Sequence, residues 1–126
     1  TEAISNDKPI KVFNNGQMER DFTYIDDIVN GVTKIIEKNI DSREHYKIYN
    51  IGNNKTESLQ NFISTIEKAM GKKAIKEMYP MQQGDVPRTF ANIDNLIDDF
   101  GYKPSTSINK GLVEFIKWYK KYINED

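Results

Sequence analysis

The stretch RDFTYIDD, residues 20–27, lies between a predicted tight turn and a strongly patterned helix. Before it, Asn14-Asn15-Gly16 supplies residues that tolerate positive φ, which predicts a reversal of the chain. After it, apolar residues recur at helical spacing: Ile25, Ile28, Val29, Val32, Ile35 and Ile36. The acids Asp26 and Asp27 suit the positive end of that helix. The stretch therefore carries Arg20 out of a turn and leads directly into a helix.

The remainder of the chain predicts further short elements on both sides of this stretch. A short helix ends at Lys8-Pro9, and strands are expected at Ile10–Phe13 and Tyr46–Ile51. Three more helices have apolar faces at helical spacing and preceding residues able to cap them. The candidate caps are Thr56 or Ser58 for the first, Asn92 for the second, and Thr106 or Ser107 for the third. Residues 72–90 have no clear period. The pattern predicts a mixed α/β lobe of about four helices and a few short strands. Because the strands are few and short, we expect this lobe to pack against a larger domain.

Composition excludes several classes of function. The 126 residues fit one domain, and 18 basic against 19 acidic residues leave no basic excess for nucleic acid. Cysteine is absent and His45 is the only histidine, so we expect no metal site and interpret His45 as a solvated surface residue. Apolar runs are too short for a membrane span, and no signal peptide is evident. We expect a cytoplasmic protein with neither nucleic-acid nor membrane partners.

One cofactor-binding motif and one catalytic motif are missing from the sequence. The seven glycines never form G-x-G, the core of the dinucleotide fingerprint, and no tyrosine is followed four residues later by lysine. The adjacent acids Asp26-Asp27 and Asp98-Asp99 do not face one another on a helix, so we interpret both pairs as solvated or dipole-compensating acids. We interpret the aromatic residues from Phe115 to Tyr122 as packing residues.

Two local features allow a binding function. Arg20 presents a planar fork that suits phosphate oxygens; the alternative is a surface arginine paired with Asp21 or Glu19. In residues 83–88, Gly84 permits close backbone approach and Asp85 can accept hydrogen bonds from sugar hydroxyls; the alternative is a surface turn. On local sequence alone the surface alternatives are favoured.

Taken in order, a series of segments resembles the nucleotide-sugar epimerases of the extended short-chain dehydrogenase/reductase superfamily. The matching segments are KPIKVF at 8–13, RDFTYIDD at 20–27, YNIG at 49–52, GDVP at 84–87 with Ala91, FGYKP at 100–104, and the final helix from Gly111 to Tyr119. The resemblance covers nearly the whole chain. It implies that residues 1–126 form the nucleotide-sugar-binding C-terminal domain of a Rossmann-type enzyme.

The resemblance also implies where the chemistry is. In this family an N-terminal Rossmann half binds NAD and carries a catalytic Tyr/Lys pair, and the enzyme is expected to be a homodimer. We therefore expect that this chain is a piece lacking that half, with no catalytic residue and no cofactor of its own. Its implied partners are a UDP-sugar and the missing half of the same protein.

Individual residues take roles from the resemblance. Arg20 falls on the arginine that contacts the diphosphate, and Asp85 falls on the acid that holds ribose hydroxyls. Val12 and Phe13 match the segment that lines the nucleobase pocket. Two further matches, Asn50 and Arg88, are carried over as contacts that vary among members. Gln82 stands where galactose-type epimerases commonly have arginine, which favours the UDP-glucuronate 4-epimerase-like branch.

The resemblance implies that the parent oxidises the sugar C4 transiently with bound NAD and returns hydride to the other face. The expected function is thus the UDP-sugar-binding part of a UDP-hexose or UDP-hexuronate 4-epimerase, inactive as this piece alone. Two alternatives remain open. One is a piece of a nucleotide-sugar dehydratase or reductase, and the other is a stand-alone, non-catalytic nucleotide-sugar-binding module.

Overall fold

The structure is a computed structural model that describes residues 1–38 and 46–123; His45 lies outside the described residues. Both helices and short strands are present, as the sequence predicts. The helices are α1 Glu2–Ser5, α2 Ile25–Glu37, α3 Leu59–Met70, α4 Asp94–Phe100 and α5 Ile108–Ile123. The strands are β1 Ile10–Val12, β2 Glu19–Arg20, β3 Glu57–Ser58 and β4 Lys76–Met78. The mixed α/β class is confirmed. Within the described residues, no helix has the length and apolar character needed to cross a membrane.

The four strands form two separate pairs. β1 runs parallel to β4, with Ile10 opposite Lys76, and β2 runs antiparallel to β3. β4 lies within residues 72–90, where the sequence predicted no element, because Lys76-Glu77-Met78 has no run of strand-forming residues. These pairings are too short to form a layer, so the helices supply most of the packing.

The strand predicted at Tyr46–Ile51 is not formed, which corrects the sequence prediction. The segment keeps the alternation of a strand: Tyr49 and Ile51 pack toward α4, whereas Tyr46 and Ile48 are 82% and 81% exposed. A strand requires a neighbouring backbone to complete its hydrogen bonds, and none of the strands in the described part of the chain pairs with this segment.

One hydrophobic core joins α1, α3 and α5. Ile4, Ile66, Leu112 and Ile116 are buried together there. α3 begins where the Ser58 hydroxyl accepts a hydrogen bond from the main-chain N–H of Asn61 over 3.1 Å. It ends at Gly71, whose φ of 71° is the left-handed conformation expected for a glycine after a helix. The predicted apolar face, cap and end of α3 are confirmed.

The second core lies beneath α2 and α4. Its members are Ile93, Leu96, Phe100 and Tyr102, and Ile35 of α2 packs against them. The predicted apolar face of α2 is only partly buried, because four of its members are exposed: Ile25, Val29, Val32 and Ile36. A helix with an apolar face at helical spacing normally buries it, so α2 presents an apolar surface without a covering element among the described residues.

Asp27 is a buried structural acid, which corrects its interpretation as a solvated or dipole-compensating residue. Its carboxylate accepts hydrogen bonds from the main-chain N–H groups of Ser105 (3.2 Å) and Thr106 (3.0 Å). Burial opposes the charge of Asp27, but these hydrogen bonds outweigh it and lower the pKa of the carboxyl group. Asp27 therefore ties α2 to the segment that leads into α5.

Candidate functional site

Arg20 reaches the candidate site from the reversal that the sequence predicts. Asn14 and Asn15 both have φ of 49°, and Gly16 has φ of 79°, a left-handed conformation that asparagine and glycine tolerate well. A Cβ on Gly16 would lie 2.0 Å from Nε2 of Gln60, so a side chain there would require Gln60 to move. The turn returns the chain as β2 and places Arg20 at its end.

The side chains of Arg20 and Asp85 meet although they are 65 positions apart in the sequence. Nη2 of Arg20 donates to Oδ1 of Asp85 over 2.7 Å. Nη1 donates to the main-chain oxygens of Glu19 (2.8 Å) and Pro87 (3.3 Å). The two paired side chains are 26% and 32% exposed, so a ligand can reach them. The structure brings together the residues to which the resemblance gives the diphosphate and the ribose.

Asp85 stands at the end of a turn that begins at Gln82. The main-chain N–H of Asp85 donates to the oxygen of Gln82 over 3.2 Å, and Gly84 within the turn has φ of 83°. The N–H of Val86 donates to Oδ1 of Asp85 over 2.8 Å. Among the described residues both contacts of this carboxylate fall on Oδ1, so Oδ2 can accept from a hydroxyl group. Gln82 is exposed at the opposite end of the turn.

Arg88 is near the site in the chain but directs its charge elsewhere. Its Nε lies 3.2 Å from the Glu19 carboxylate, and an Nη atom donates to the Thr56 hydroxyl over 3.3 Å. The N–H of Glu19 donates to the oxygen of Pro87 (2.8 Å), and the N–H of Thr89 donates to the oxygen of Glu19 (3.2 Å). Residues 87–89 therefore run alongside β2, and this pairing fixes the position of Asp85 along β2 relative to Arg20.

The predicted nucleobase segment offers one side chain rather than two. Val12 is 1% exposed and belongs to the core; its main-chain oxygen accepts from the N–H of Tyr79 over 2.9 Å. The ring of Phe13 lies 5.7 Å from that of Tyr79, and Nζ of Lys11 lies 5.6 Å from the centre of the Tyr79 ring. The aromatic surface at this edge is formed by Phe13 and Tyr79, and any contact of Val12 with a base would come from its main chain.

Asn50 belongs to a separate polar cavity of about 360 Å³, which is also lined by Asp21, Thr23 and Thr89. The Asn50 amide donates to the main-chain oxygen of Asn92 over 3.2 Å. Within the described part of the chain, the structure therefore brings Asn50 to the loop before α4 rather than to Arg20 or Asp85.

Two residues near the site escaped the sequence interpretation. Tyr79 precedes Pro80 in the stretch without period, and an aromatic residue before proline in extended backbone was its only signal. Asp21 was considered only as a counter-ion for Arg20. Its carboxylate instead accepts from the main-chain N–H groups of Asn53 (2.9 Å), Asn54 (3.2 Å) and Ala91 (3.1 Å). No local pattern distinguishes such an acid from a solvated one.

The described residues do not fit a dinucleotide such as NAD. Its pyrophosphate usually sits on free N–H groups at a helix that follows a glycine-rich turn. α2 instead begins with Asp26 and Asp27, whose charges would repel phosphate. At α3 the hydroxyl of Ser58 already occupies the N–H of Asn61, and at α5 the hydroxyl of Ser107 accepts from the N–H of Lys110 over 3.3 Å.

Fold and site together define a mixed α/β lobe with an accessible arginine–aspartate pair. The family model described as the NAD dependent epimerase/dehydratase family matches residues 1–52. A probable UDP-glucuronate 4-epimerase of Rhizobium meliloti is 41% identical, with the match covering 94% of this chain and 39% of that protein. Protein CapI of Staphylococcus aureus is also 41% identical, over 97% of this chain and 41% of its own length.

A solved structure shares the fold as well as the sequence. The crystal structure of UDP-glucuronic acid 4-epimerase from Bacillus cereus, in complex with NAD, matches with a TM-score of 0.82 and 30% identity. That match covers 99% of this chain and 38% of the other. The chain is therefore similar to the NAD dependent epimerase/dehydratase family and to UDP-glucuronate 4-epimerases along nearly its whole length. It spans about two fifths of the length of the curated relatives that it matches.

Proposed function

We propose that this chain is the nucleotide-sugar-binding domain, residues 1–126, of an NAD-dependent 4-epimerase that acts on a UDP-hexuronate or UDP-hexose. The observation that carries the proposal is the contact between Arg20 and Asp85 across 65 positions of sequence. Relatives of the UDP-glucuronate 4-epimerase type support the hexuronate form, as does Gln82 in place of arginine. The family description also includes dehydratases, which keeps that chemistry as the second candidate.

The proposed binding mode assigns one chemical task to each part of the site. Arg20 is already oriented by the main-chain oxygens of Glu19 and Pro87, so its remaining N–H groups are directed toward a diphosphate. Oδ2 of Asp85 accepts from a ribose hydroxyl. The Phe13–Tyr79 aromatic surface packs against the planar base, and Gln82 and Arg88 lie at the rim. These contacts are remote from the reacting sugar carbon, and they position the substrate without performing chemistry.

The chemistry in the proposed parent belongs to residues outside this chain. NAD, bound by the remainder of the parent, supplies the hydride acceptor and donor for C4. Residues 1–126 contain neither the glycine fingerprint nor a tyrosine paired with a lysine four residues later. We therefore propose that this chain alone is inactive and does not bind NAD. Measurable turnover of UDP-glucuronate by the purified chain would contradict this part of the proposal.

The proposed partner of this domain is the NAD-binding half of the same protein, in a parent that forms a homodimer. Support comes from the apolar surface of α2, where Ile36 is 78% exposed, and from the unpaired segment that holds Tyr46 and Ile48. A large exposed apolar surface indicates an interface, and a segment that pairs with none of the strands in the described part of the chain suits the addition of a strand. Both features fit a neighbouring sheet better than solvent.

The test of the proposed function is the affinity of the full-length protein for UDP, measured by calorimetry. We expect Arg20→Ala to weaken binding by about 10- to 100-fold, because a hydrogen bond to a charged group is worth roughly 1.5–3 kcal/mol. Lys117→Ala is the matched control, since Lys117 is an exposed cation paired with Glu114 on α5. Equal affinities of wild type and the Arg20 variant would remove Arg20 from the site.

A further inference from the structure

The carboxylate of Asp21 joins three segments that are distant in sequence. Oδ1 accepts from the N–H of Asn53 over 2.9 Å. Oδ2 accepts from the N–H of Asn54 over 3.2 Å and from the N–H of Ala91 over 3.1 Å. The hydroxyl of Thr23 lies 3.5 Å from Oδ1. Asp21 thus uses its charge to hold main-chain donors from two loops rather than to neutralise its neighbour Arg20.

The two loops held by Asp21 are pressed closely together. A Cβ on Gly52 would lie 2.6 Å from Cβ of Ala91 and 3.0 Å from Oδ2 of Asp21. Only glycine allows the backbones this approach. The main-chain N–H of Asp21 also faces the hydroxyl of Thr89 over 3.4 Å. Residues 89–91 are therefore fixed to the Asp21 main chain and side chain at the same time.

The segment fixed by Asp21 is continuous with the segment that carries the site. Pro87 contacts Arg20 through its main-chain oxygen, and Asp85 lies two residues earlier. Residues 87–89 lie alongside β2 through the two main-chain hydrogen bonds with Glu19. Asp21 holds the next residues of this segment, 89–91, through its contacts with Thr89 and Ala91. A shift there would slide Pro87 and Asp85 along β2 and away from the guanidinium of Arg20.

We propose that Asp21 is a positioning residue for nucleotide binding, which holds the 85–91 segment so that Arg20 and Asp85 present one site to the UDP diphosphate and ribose. This inference rests on the proposed function. Asp21 need not touch the ligand, because a carboxylate that accepts three main-chain N–H groups fixes the geometry of the neighbouring contacts. Its removal would leave the ligand-binding groups present but out of register.

The experiment compares Asp21→Asn with Asp27→Asn in the full-length protein. Asp27 is the matched control because it also accepts main-chain N–H groups, from Ser105 and Thr106, but in a segment that contacts neither Arg20 nor Asp85. We expect both variants to lower the melting temperature. Asp21→Asn should weaken UDP binding by about tenfold or more at a temperature where the variant is folded. Asp27→Asn should leave UDP affinity within about twofold of wild type, less than one lost hydrogen bond would cost.

A second measurement, hydrogen exchange without ligand, separates this inference from the proposed function. Asp21→Asn should speed exchange at residues 53–54 and across 85–91, whereas Asp27→Asn should not. Wild-type UDP affinity in a folded Asp21→Asn variant, or unchanged exchange at 85–91, would overturn the positioning role. If the wild-type protein bound no UDP, that result would contradict the proposed function. The exchange comparison would then still decide whether Asp21 holds the Asp85 segment.

Discussion

Glu67 is a buried carboxylate on α3 that holds the loop leading to β4. Its side chain is 5% exposed. The main-chain N–H of Ala74 donates to it over 3.0 Å, and the ammonium groups of Lys73 and Lys76 each lie 3.2 Å away. The hydrogen bond from Ala74 contributes most and, together with the lysines, outweighs burial. These contacts lower the pKa of Glu67 from 4.5 to about 2.

We expect the stabilisation by Glu67 to depend on pH. The carboxyl group takes up a proton near pH 4.5 in the unfolded chain but only near pH 2 in the folded chain. Its contribution is therefore complete above the unfolded pKa and disappears as the pH falls through the folded pKa. Glu67→Gln should lower the free energy of unfolding by about 3 kcal/mol at neutral pH, and more than half of this difference should vanish by about pH 3.

Denaturant unfolding of both proteins across this pH range measures the difference. Glu114→Gln is the matched control, since Glu114 is a partly exposed acid paired with Lys117, and such surface pairs contribute about 0–1 kcal/mol. A Glu67 effect of constant size from neutral pH to pH 3 would contradict the assignment. The sequence alone did not single out Glu67, because its donors are a main-chain N–H seven residues away and lysines that a linear pattern does not distinguish from solvated ones.

At the scale of elements, Gly31 lets α2 pack closely on the second core. A Cβ on Gly31 would lie 2.5 Å from Cδ1 of Ile51 and 3.0 Å from the ring of Tyr102. Ile51 has a flexible end, but Tyr102 is fully buried and its hydroxyl donates to the main-chain oxygen of Gly52 over 3.0 Å. The ring cannot move away without disturbing this hydrogen bond.

We expect Gly31→Ala to destabilise the protein by about 1–3 kcal/mol through overpacking. Helix propensity alone would predict the opposite, a gain of about 1 kcal/mol. Asn30→Ala, at the exposed neighbouring position of α2, is the control and should leave the stability unchanged or slightly raised. Denaturant unfolding of both variants gives the sign of each change, and a stabilising Gly31→Ala would refute the close contact.

The elements that the sequence predicted well are those whose pattern is local. α3 and α5 each have an apolar face at helical spacing, and each is capped by a serine that the sequence offered, Ser58 and Ser107. β4 was not predicted, because its formation depends on β1, which lies more than sixty residues earlier in the chain. The segment Tyr46–Ile51 was predicted as a strand from its alternation, yet alternation supplies no neighbouring strand.

The candidate site could be predicted only in part for the same physical reason. The order of motifs nominated Arg20 and Asp85, and the structure brings them within 2.7 Å. The sequence could not show that the Val12 side chain is buried, that the ring of Tyr79 lies beside that of Phe13, or that Arg88 pairs with Glu19. Each of these facts depends on which side of a backbone faces a partner distant in sequence, which single-residue identities do not specify.

At the scale of the whole molecule, apolar side chains are exposed on several of the described elements, α5 among them, and two of these elements are α2 and the segment 46–51. The exposed residues of the α2 surface are Ile25, Val29, Val32 and Ile36, and the segment adds Tyr46 and Ile48. Fully covering an exposed isoleucine side chain contributes about 1.5–3 kcal/mol, and the half-buried Val29 and Val32 contribute less. We propose that these two elements dock on the proposed NAD-binding half.

We expect this interface to determine whether the two halves assemble when they are expressed as separate polypeptides. Combining Val29→Asp with Ile36→Asp would place two charges in the covered surface, and burying an unpaired charge is costly. Recovery of the complex with the proposed NAD-binding half, and of the proposed 4-epimerase activity, should fall by at least about tenfold. Val113→Asp is the matched control, because Val113 is an exposed apolar residue on α5. Equal recovery from the α2 variant and the control would show that α2 does not form the interface.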